Sequence, residues 1–155
     1  MHSVSNTKKK IITALMWGYP TGGRGKNIEK ILEKIDELDH LLSSIKGKDL
    51  KKSEANKVYE AFGNIRGLGI STWSKLLYFF DVSIDSYKCQ IYDMKIVDSL
   101  NKRQFSELGS QEWKQDNDHY YQYIKFLDEQ AKSMDVKPDQ IELFLFYYNL
   151  YYKFS

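Results

Sequence analysis

The chain has 155 residues, a formal net charge of +2 and 15% aromatic residues. This length suits one domain with its own hydrophobic core, and the small net charge limits any nucleic-acid contact to a local patch. The single cysteine, Cys89, excludes an internal disulfide, and three scattered histidines give no metal-ligand spacing. No apolar run approaches the roughly 18 residues of a membrane span, and the basic N-terminus lacks the apolar core of a signal peptide. We therefore expect no metal, no cofactor, no membrane partner and a cytoplasmic location.

The N-terminal part is predicted to be a flexible polar tail over residues 1–7, followed by a single domain over 8–155. Lys8–Lys10 lead into a short apolar helix that ends at Trp17. The lysines suit a solvated helix start, and contact with phosphate is the alternative interpretation.

Residues 18–26 form a loop that contains four glycines. It is not a phosphate-binding P-loop, because the Gly-Lys-Ser/Thr ending and the preceding strand are missing. If the loop is functional, Arg24 can contact a phosphate, and Trp17 beside it is a candidate for a base pocket or wedge. The alternative is a loop without function.

Helical spacing of apolar residues predicts one amphipathic helix over 27–45 and, after a polar linker, a helix that opens at Ser53. A strongly apolar helix is predicted over 70–80, followed by a turn-rich connector over 81–89. Strand-like alternation is missing throughout, so the sequence predicts no strands.

The C-terminal half also reads as helical, with a further turn or two over 102–108. Asp116 or Asp118 can cap a long helix that runs to Met134, and Pro138 suits the first position of the last helix. The predicted inward face of that last helix consists of Ile141, Phe144, Leu145, Tyr148 and Tyr151. The expected fold class is therefore all-α, a compact helical domain of seven or eight helices.

The central motif is Gly67-Leu68-Gly69, which lies between two predicted helices. Because glycine tolerates positive φ and close backbone approach, the motif predicts a tight helix–hairpin–helix turn. The first N–H groups of the second helix then make an anion site that suits a DNA phosphate. The alternative is a glycine pair that serves packing alone.

Asp93 follows Ile91-Tyr92 at a predicted helix start. Aspartate is a preferred N-cap residue, which is one role for it. The other is a carboxylate that stabilises an oxocarbenium-like sugar, or activates a nucleophile, while a glycosidic bond breaks. Both roles are compatible, because an N-cap position fixes the carboxylate and favours its charge.

Four segments together resemble the helix–hairpin–helix DNA glycosylases, and most of all their 8-oxoguanine DNA glycosylase, OGG-like group. They are residues 14–24, 65–79, 91–97 and 138–144. The resemblance implies an enzyme that excises a damaged base from double-stranded DNA after flipping it out of the helix, and we expect it to act as a monomer. It also implies that Gly67, Gly69 and Lys95 bind phosphate, and that Asp93 is the essential carboxylate.

The same resemblance implies that a glutamine reads the flipped base and that a phenylalanine one helical turn later stacks on it. Gln140 and Phe144 have this spacing on the last helix. They are the candidate base-binding residues, together with Trp17.

The family position of the catalytic lysine is occupied by Ser71, which we therefore place among the DNA-contacting residues. Lys75 lies one turn further along the same helix and precedes Asp93 by 18 residues, a separation similar to that in the family. Either Lys75 attacks the sugar and forms a Schiff base, or Asp93 works with a water and Lys75 contacts phosphate or only the core. Further departures are Arg66 in place of the usual proline and the lack of an iron–sulfur cysteine set.

The predicted function is excision of a damaged or modified base, with 8-oxoguanine as the first candidate and lyase activity through Lys75 as an addition. One alternative is a catalytically inactive DNA-binding module of the same fold, which the serine at position 71 favours. Another is a helical interaction domain whose glycine hairpin is simply a turn.

Overall fold

The secondary structure is mainly helical, as predicted. The computed structural model describes residues 6–18, 26–102 and 111–151. Within these ranges the chain forms eight helices and three very short strands. They are α1 Asn6–Gly18, α2 Asn27–Leu32, α3 Ile35–Ile45, β1 Asp49–Leu50, α4 Lys52–Gly63, α5 Ile70–Phe79, β2 Ser83–Ile84, β3 Tyr87–Lys88, α6 Met94–Leu100, α7 Asn117–Met134 and α8 Pro138–Tyr151.

The chain divides into two compact units, Met1–Cys89 and Gln90–Ser155. In the first unit, α1 packs against α3 and α5. Their apolar stripes supply a core with fully buried side chains, among them Ile11, Leu38, Leu42 and Leu76, and Phe62 of α4 is fully buried as well. Burial of such stripes is what fixes marginal helices of this length.

The predicted helix over 27–45 is interrupted in the structure. Lys34 adopts φ −107° and ψ 19°, outside the helical region, and separates α2 from α3. The α3 helix begins directly after Lys34, whose carbonyl accepts a hydrogen bond from Leu38 N–H at 3.1 Å. Apolar spacing continues through the break, so the prediction of one continuous helix was wrong.

The predicted linker and connector contain a small sheet. β1 pairs in parallel with β2, and β2 pairs antiparallel with β3, with Asp49 opposite Ser83 and Ile84 opposite Tyr87. Asp85 and Ser86 link β2 to β3 with φ values of 48° and 70°, which suit a two-residue hairpin. The expectation of no strands was therefore wrong, because strands of two residues are too short to show alternation.

The second unit contains α6, α7 and α8, and α8 packs against both of the others. The predicted helix starts are confirmed. The Asp116 carboxylate accepts from His119 N–H at 2.9 Å at the start of α7, and Pro138 is the first residue of α8. The α7 helix ends at Met134, after which Asp135 takes a left-handed conformation with φ 54°.

The inward face of α8 differs in part from the prediction. Leu145 is buried as expected, but the next buried residue is Asn149, and Phe144 and Tyr151 are 56% and 72% exposed. The prediction was wrong for those two aromatics. Residues 103–110, where most of the further helical turn was expected, lie outside the described residues, as do residues 1–5 of the predicted tail.

Candidate functional site

The glycine motif forms the predicted hairpin between α4 and α5. Gly67 has φ +90°, and Gly69 has the extended conformation of an N-cap, with φ −80° and ψ 171°. The Gly69 carbonyl accepts from the N–H groups of Thr72 and Trp73, both at 2.9 Å, so the helix begins at this residue. The hairpin thus places the N-terminus of α5, the end of a helix that attracts anions, directly after Gly69.

The two glycines have different surroundings. A methyl group at Gly67 would lie 3.1 Å from both Cβ and the backbone oxygen of Asn27, the first residue of α2. At Gly69 a methyl group would meet no atom of the described chain within 4 Å, apart from its immediate neighbours in sequence. Gly67 therefore serves backbone conformation and packing, while the surroundings of Gly69 leave room for a ligand.

The side chain of Lys75 on α5 lies beside the C-terminal end of α1, next to Trp17 and Gly18. A methyl group at Gly18 would lie 3.4 Å from Lys75 Cδ and 3.5 Å from Nζ, so the side chain runs closely past this glycine. The Nζ atom is 5.8 Å from the centroid of the Trp17 ring, within the range of a cation–π contact. Ser71 lies one turn earlier on α5 and is partly buried.

Of the three tryptophans, only Trp17 is open to a ligand. It is 61% exposed and meets Phe79 edge to face, with ring centroids 5.8 Å apart. Trp73 and Trp113 are buried, and Trp73 stacks on Tyr59 at 4.8 Å. The exposure of the Trp17 ring suits its predicted role as a base-pocket or wedge residue, which stays a prediction. Arg24 of the adjoining glycine loop lies outside the described residues.

In the second unit, Asp93 is the N-cap of α6, as predicted. Its Oδ1 atom accepts from Lys95 N–H at 3.0 Å, and its side chain is partly buried. The Lys95 ammonium lies 4.8 Å from the centroid of the Phe146 ring on α8. The Lys95 side chain is thus directed toward Phe146 in this structure, and its contact with phosphate, implied by the resemblance, stays a prediction.

Gln140 and Phe144 share the wall of an apolar pocket. The pocket has a volume of about 400 Å³ and lies between the end of α7 and the start of α8. Its lining residues are Phe126, Gln130, Met134, Val136, Gln140, Ile141, Phe144 and Leu145. Gln140 also closes the first turn of α8, because its Oε1 atom accepts from Lys137 N–H at 2.8 Å. The Gln140 side-chain oxygen thus already accepts one hydrogen bond within the protein.

Helix geometry sets this pair apart from the α8 residues that contact the neighbours of Asp93. On α8, Glu142 contacts Ile91 and Phe146 contacts Lys95, and these two partners lie two residues before and two residues after Asp93. The two α8 residues follow Gln140 and Phe144 by two residues, which is about 200° around a helix of 3.6 residues per turn. The predicted base readers thus lie on nearly the opposite side of α8.

Two residues near Asp93, Tyr123 and Glu142, were not predicted from the sequence as site residues. Tyr123 on α7 is fully buried, and burial, followed by the nearby charge of Glu142, raises the pKa of its phenol well above the usual value. The charge of Asp93 acts in the same direction. Helical spacing places Tyr123 on the inner face of α7, but no local pattern indicates what its hydroxyl contacts.

Within the described ranges no three His, Cys, Asp or Glu side chains are arranged to hold a metal ion. None of the helices described here has both the length and the apolar character needed to cross a membrane.

Comparison with known proteins identifies the family. The family model described as "Putative 8-oxoguanine DNA glycosylase OGG-like protein" matches residues 2–146. The chain belongs to this family. The match covers both the glycine hairpin and Asp93, so the suspected relationship and the helical, glycosylase-like fold are confirmed. Searches of curated proteins and of solved structures found no match.

Proposed function

We propose that this protein is a DNA glycosylase that excises a damaged or modified base, with 8-oxoguanine as the first candidate. The observation that carries the proposal is the Asp93 carboxylate, which is fixed at the start of α6 in a chain of the OGG-like family. The α5 N-terminus behind Gly69 supplies the second requirement, an anion site for the DNA backbone. A flipped nucleotide is the form in which such enzymes take their substrate.

The Asp93 carboxylate has a role in either reaction route. As the bond between sugar and base breaks, positive charge develops on the sugar, and a fixed carboxylate stabilises it. In the hydrolytic route, Asp93 accepts a proton from the water that attacks the anomeric carbon, and the base leaves with the bonding electrons and takes up a proton. Asp93→Asn keeps the shape and an N-cap acceptor but removes the charge.

Lys75 is the candidate nucleophile of the second route. Its neutral amine attacks the anomeric carbon, the base departs, and ring opening leaves an imine between lysine and sugar. The position of Nζ beside Trp17 also fits a second role, since an ammonium is attracted to the face of an indole ring. Borohydride reduction of the reaction mixture distinguishes the routes. A covalent band that Lys75→Ala abolishes supports the imine, whereas base release without a band supports Asp93 and water.

The decisive experiment is a panel of duplex oligonucleotides, each with one altered base, scored for abasic sites. We expect Asp93→Asn to lower base release by about 10²–10³-fold while DNA binding is retained. If wild-type protein and Asp93→Asn release the base equally, the carboxylate is not catalytic and the proposed chemistry is wrong.

Base recognition is proposed for Gln140 and Phe144, although the face of α8 that they share is nearly opposite to the face that contacts Ile91 and Lys95. The volume of the pocket that they line falls in the usual range of roughly 300–1,000 Å³ for small-molecule sites. Phe144→Ala should then weaken discrimination between the altered and the normal base. Because Phe146 is the aromatic ring beside Lys95, Phe146→Ala is the comparison. If Phe146→Ala alone loses discrimination, base recognition belongs to the side of α8 that carries Phe146.

The second candidate function is DNA binding without catalysis. Ser71 in place of the family lysine favours it, as does the use of the Gln140 side-chain oxygen within α8. Nonspecific duplex binding that weakens as salt rises would fit both candidates, since contacts with phosphate release counterions. Base release by wild-type protein then separates them. If no duplex binding occurs at low salt, both fail and a helical interaction domain remains.

A further inference from the structure

Side chains, and not a sheet, hold the segment that leads into Asp93. Residues 90–92 are buried and belong to no helix or strand. Each of their three carbonyl oxygens accepts a hydrogen bond from a side chain. The donors are the phenols of Tyr120 and Tyr123, both at 3.0 Å, and the amide of Gln115 at 3.1 Å.

Ile91 is bonded on both sides of its backbone. Its N–H donates to Glu142 Oε2 on α8 at 3.2 Å, and its carbonyl accepts from Tyr123 Oη on α7 at 3.0 Å. Ile91 lies two residues before Asp93, so these two bonds fix the direction in which the chain enters α6. Buried backbone groups need such partners, and losing one costs the full penalty of an unsatisfied polar group.

The carboxylate of Asp93 depends on this approach of the chain. The backbone of Asp93 is extended, with φ −84° and ψ 154°, and the hydrogen bond from Lys95 N–H orients the Oδ1 atom of its side chain. The helix that it caps has only seven residues, and such a short helix gives little stability of its own. The position of the carboxylate therefore follows from what holds the incoming backbone.

Tyr123 is suited to holding the backbone of Ile91. Its ring is fully buried and stacks on Tyr92, with centroids 4.5 Å apart. Because burial raises the pKa of its phenol well above the usual value, Tyr123 stays a neutral hydrogen-bond donor throughout the working pH range.

We propose that Tyr123 and Glu142 are positioning residues that fix Ile91 and thereby place the Asp93 carboxylate. The kinetic consequence rests on the proposed glycosylase function, while the structural consequence does not. A displacement of about 1 Å in a catalytic group is enough to lower a rate by as much as about 10²-fold.

Tyr123→Phe is the first test, because it removes only the hydroxyl group. We expect kcat for base release to fall by about 10- to 100-fold, with KM changed by less than about 2-fold. The matched control is Ser99→Ala, which removes another buried hydrogen bond of α6, from Ser99 Oγ to the Leu145 carbonyl at 2.7 Å. If the two variants have the same kcat, the proposal is overturned.

Glu142 provides the second test through a conservative pair. Glu142→Ala removes the acceptor for Ile91 N–H, and we expect a loss in kcat similar to that of Tyr123→Phe. Glu142→Gln keeps an acceptor oxygen without the charge and should restore most of the wild-type rate. If Glu142→Gln is as impaired as Glu142→Ala, Glu142 acts through its charge and the positioning role is wrong.

The structural readout is hydrogen exchange of the Lys95 amide, which donates to Asp93. We expect exchange to be faster by about 10-fold in Tyr123→Phe and unchanged in Ser99→Ala. An unchanged Lys95 amide in Tyr123→Phe would overturn the proposal whatever the activity. If wild-type protein releases no base, the proposed function fails, and the Lys95 measurement still decides whether Tyr123 and Glu142 hold Asp93.

Discussion

Gly67→Ala should destabilise the protein strongly, and Gly69→Ala should not. At Gly67 the backbone has φ +90°, which costs a non-glycine residue about 2 kcal/mol. The new methyl group would also lie 3.1 Å from the backbone oxygen and Cβ of Asn27. Backbone cannot swing aside as a long side chain can, so this crowding adds about 1–2 kcal/mol.

The expected loss for Gly67→Ala is therefore about 3–4 kcal/mol, or a fall in Tm of about 10 °C. Gly69 has φ −80° and open space around it, so its replacement should cost no more than about 1 kcal/mol, the difference between glycine and alanine at an N-cap. Urea unfolding followed by circular dichroism measures both changes, and equal m-values would show that unfolded states are comparable.

DNA affinity should respond in the opposite way. Gly69→Ala places a methyl group where the proposed phosphate would approach the first N–H groups of α5, so duplex binding should weaken although the fold is kept. Gly67→Ala should retain affinity at temperatures where it remains folded. A stable Gly67→Ala protein would refute the packing argument. A stable Gly69→Ala protein with wild-type affinity would remove this hairpin face from the DNA interface.

Three further outcomes are expected. Asp116→Ala should lower the free energy of unfolding by about 1 kcal/mol, because the cap of α7 is removed. Burial raises the pKa of Asp116, but hydrogen bonds from His119 outweigh this effect and lower it, so the stability difference should be present above about pH 4 and disappear as the pH falls below that value. A stability difference that persists at low pH would contradict the role of Asp116 as a charged cap. Because burial raises the pKa of Tyr123, unfolding at alkaline pH releases its proton, so stability should fall as pH rises above about 10, and urea midpoints of Tyr123→Phe should fall less steeply there. Trp17→Ala should change stability by less than about 1 kcal/mol because the ring is mostly exposed, and unaltered base release and DNA affinity would exclude Trp17 from the site.

Helix starts could be predicted from the sequence because caps are local. The carboxylates of Asp93 and Asp116 each accept an N–H from within three residues along the chain, and Pro138 suits a first helical position by its fixed φ alone. The break at Lys34 could not be predicted in this way, since apolar spacing continues through it. The strands around Asp85 were missed because two-residue strands carry no periodicity.

The face of α8 was harder to predict because its apolar residues occur on all sides. Leu143, Phe144 and Tyr147 are exposed although their chemistry suits a core, and Asn149 is buried although its chemistry does not. In such a helix the spacing of apolar residues does not select one face. What decides the face is the packing of α8 against α6 and α7, and no local pattern contains that information.

The surroundings of Asp93 show the same limit at the level of function. The residue itself was found from a local motif, but the groups that hold its backbone come from far along the chain. Tyr123 is 32 residues and Glu142 is 51 residues from Ile91, which both of them contact. Each interaction joins a side chain to a backbone atom, so the identity of Ile91 carries no sign of it. If the positioning role is correct, changes in α7 and α8 will alter catalysis at Asp93 without touching the substrate, and their effects will appear in kcat and not in KM.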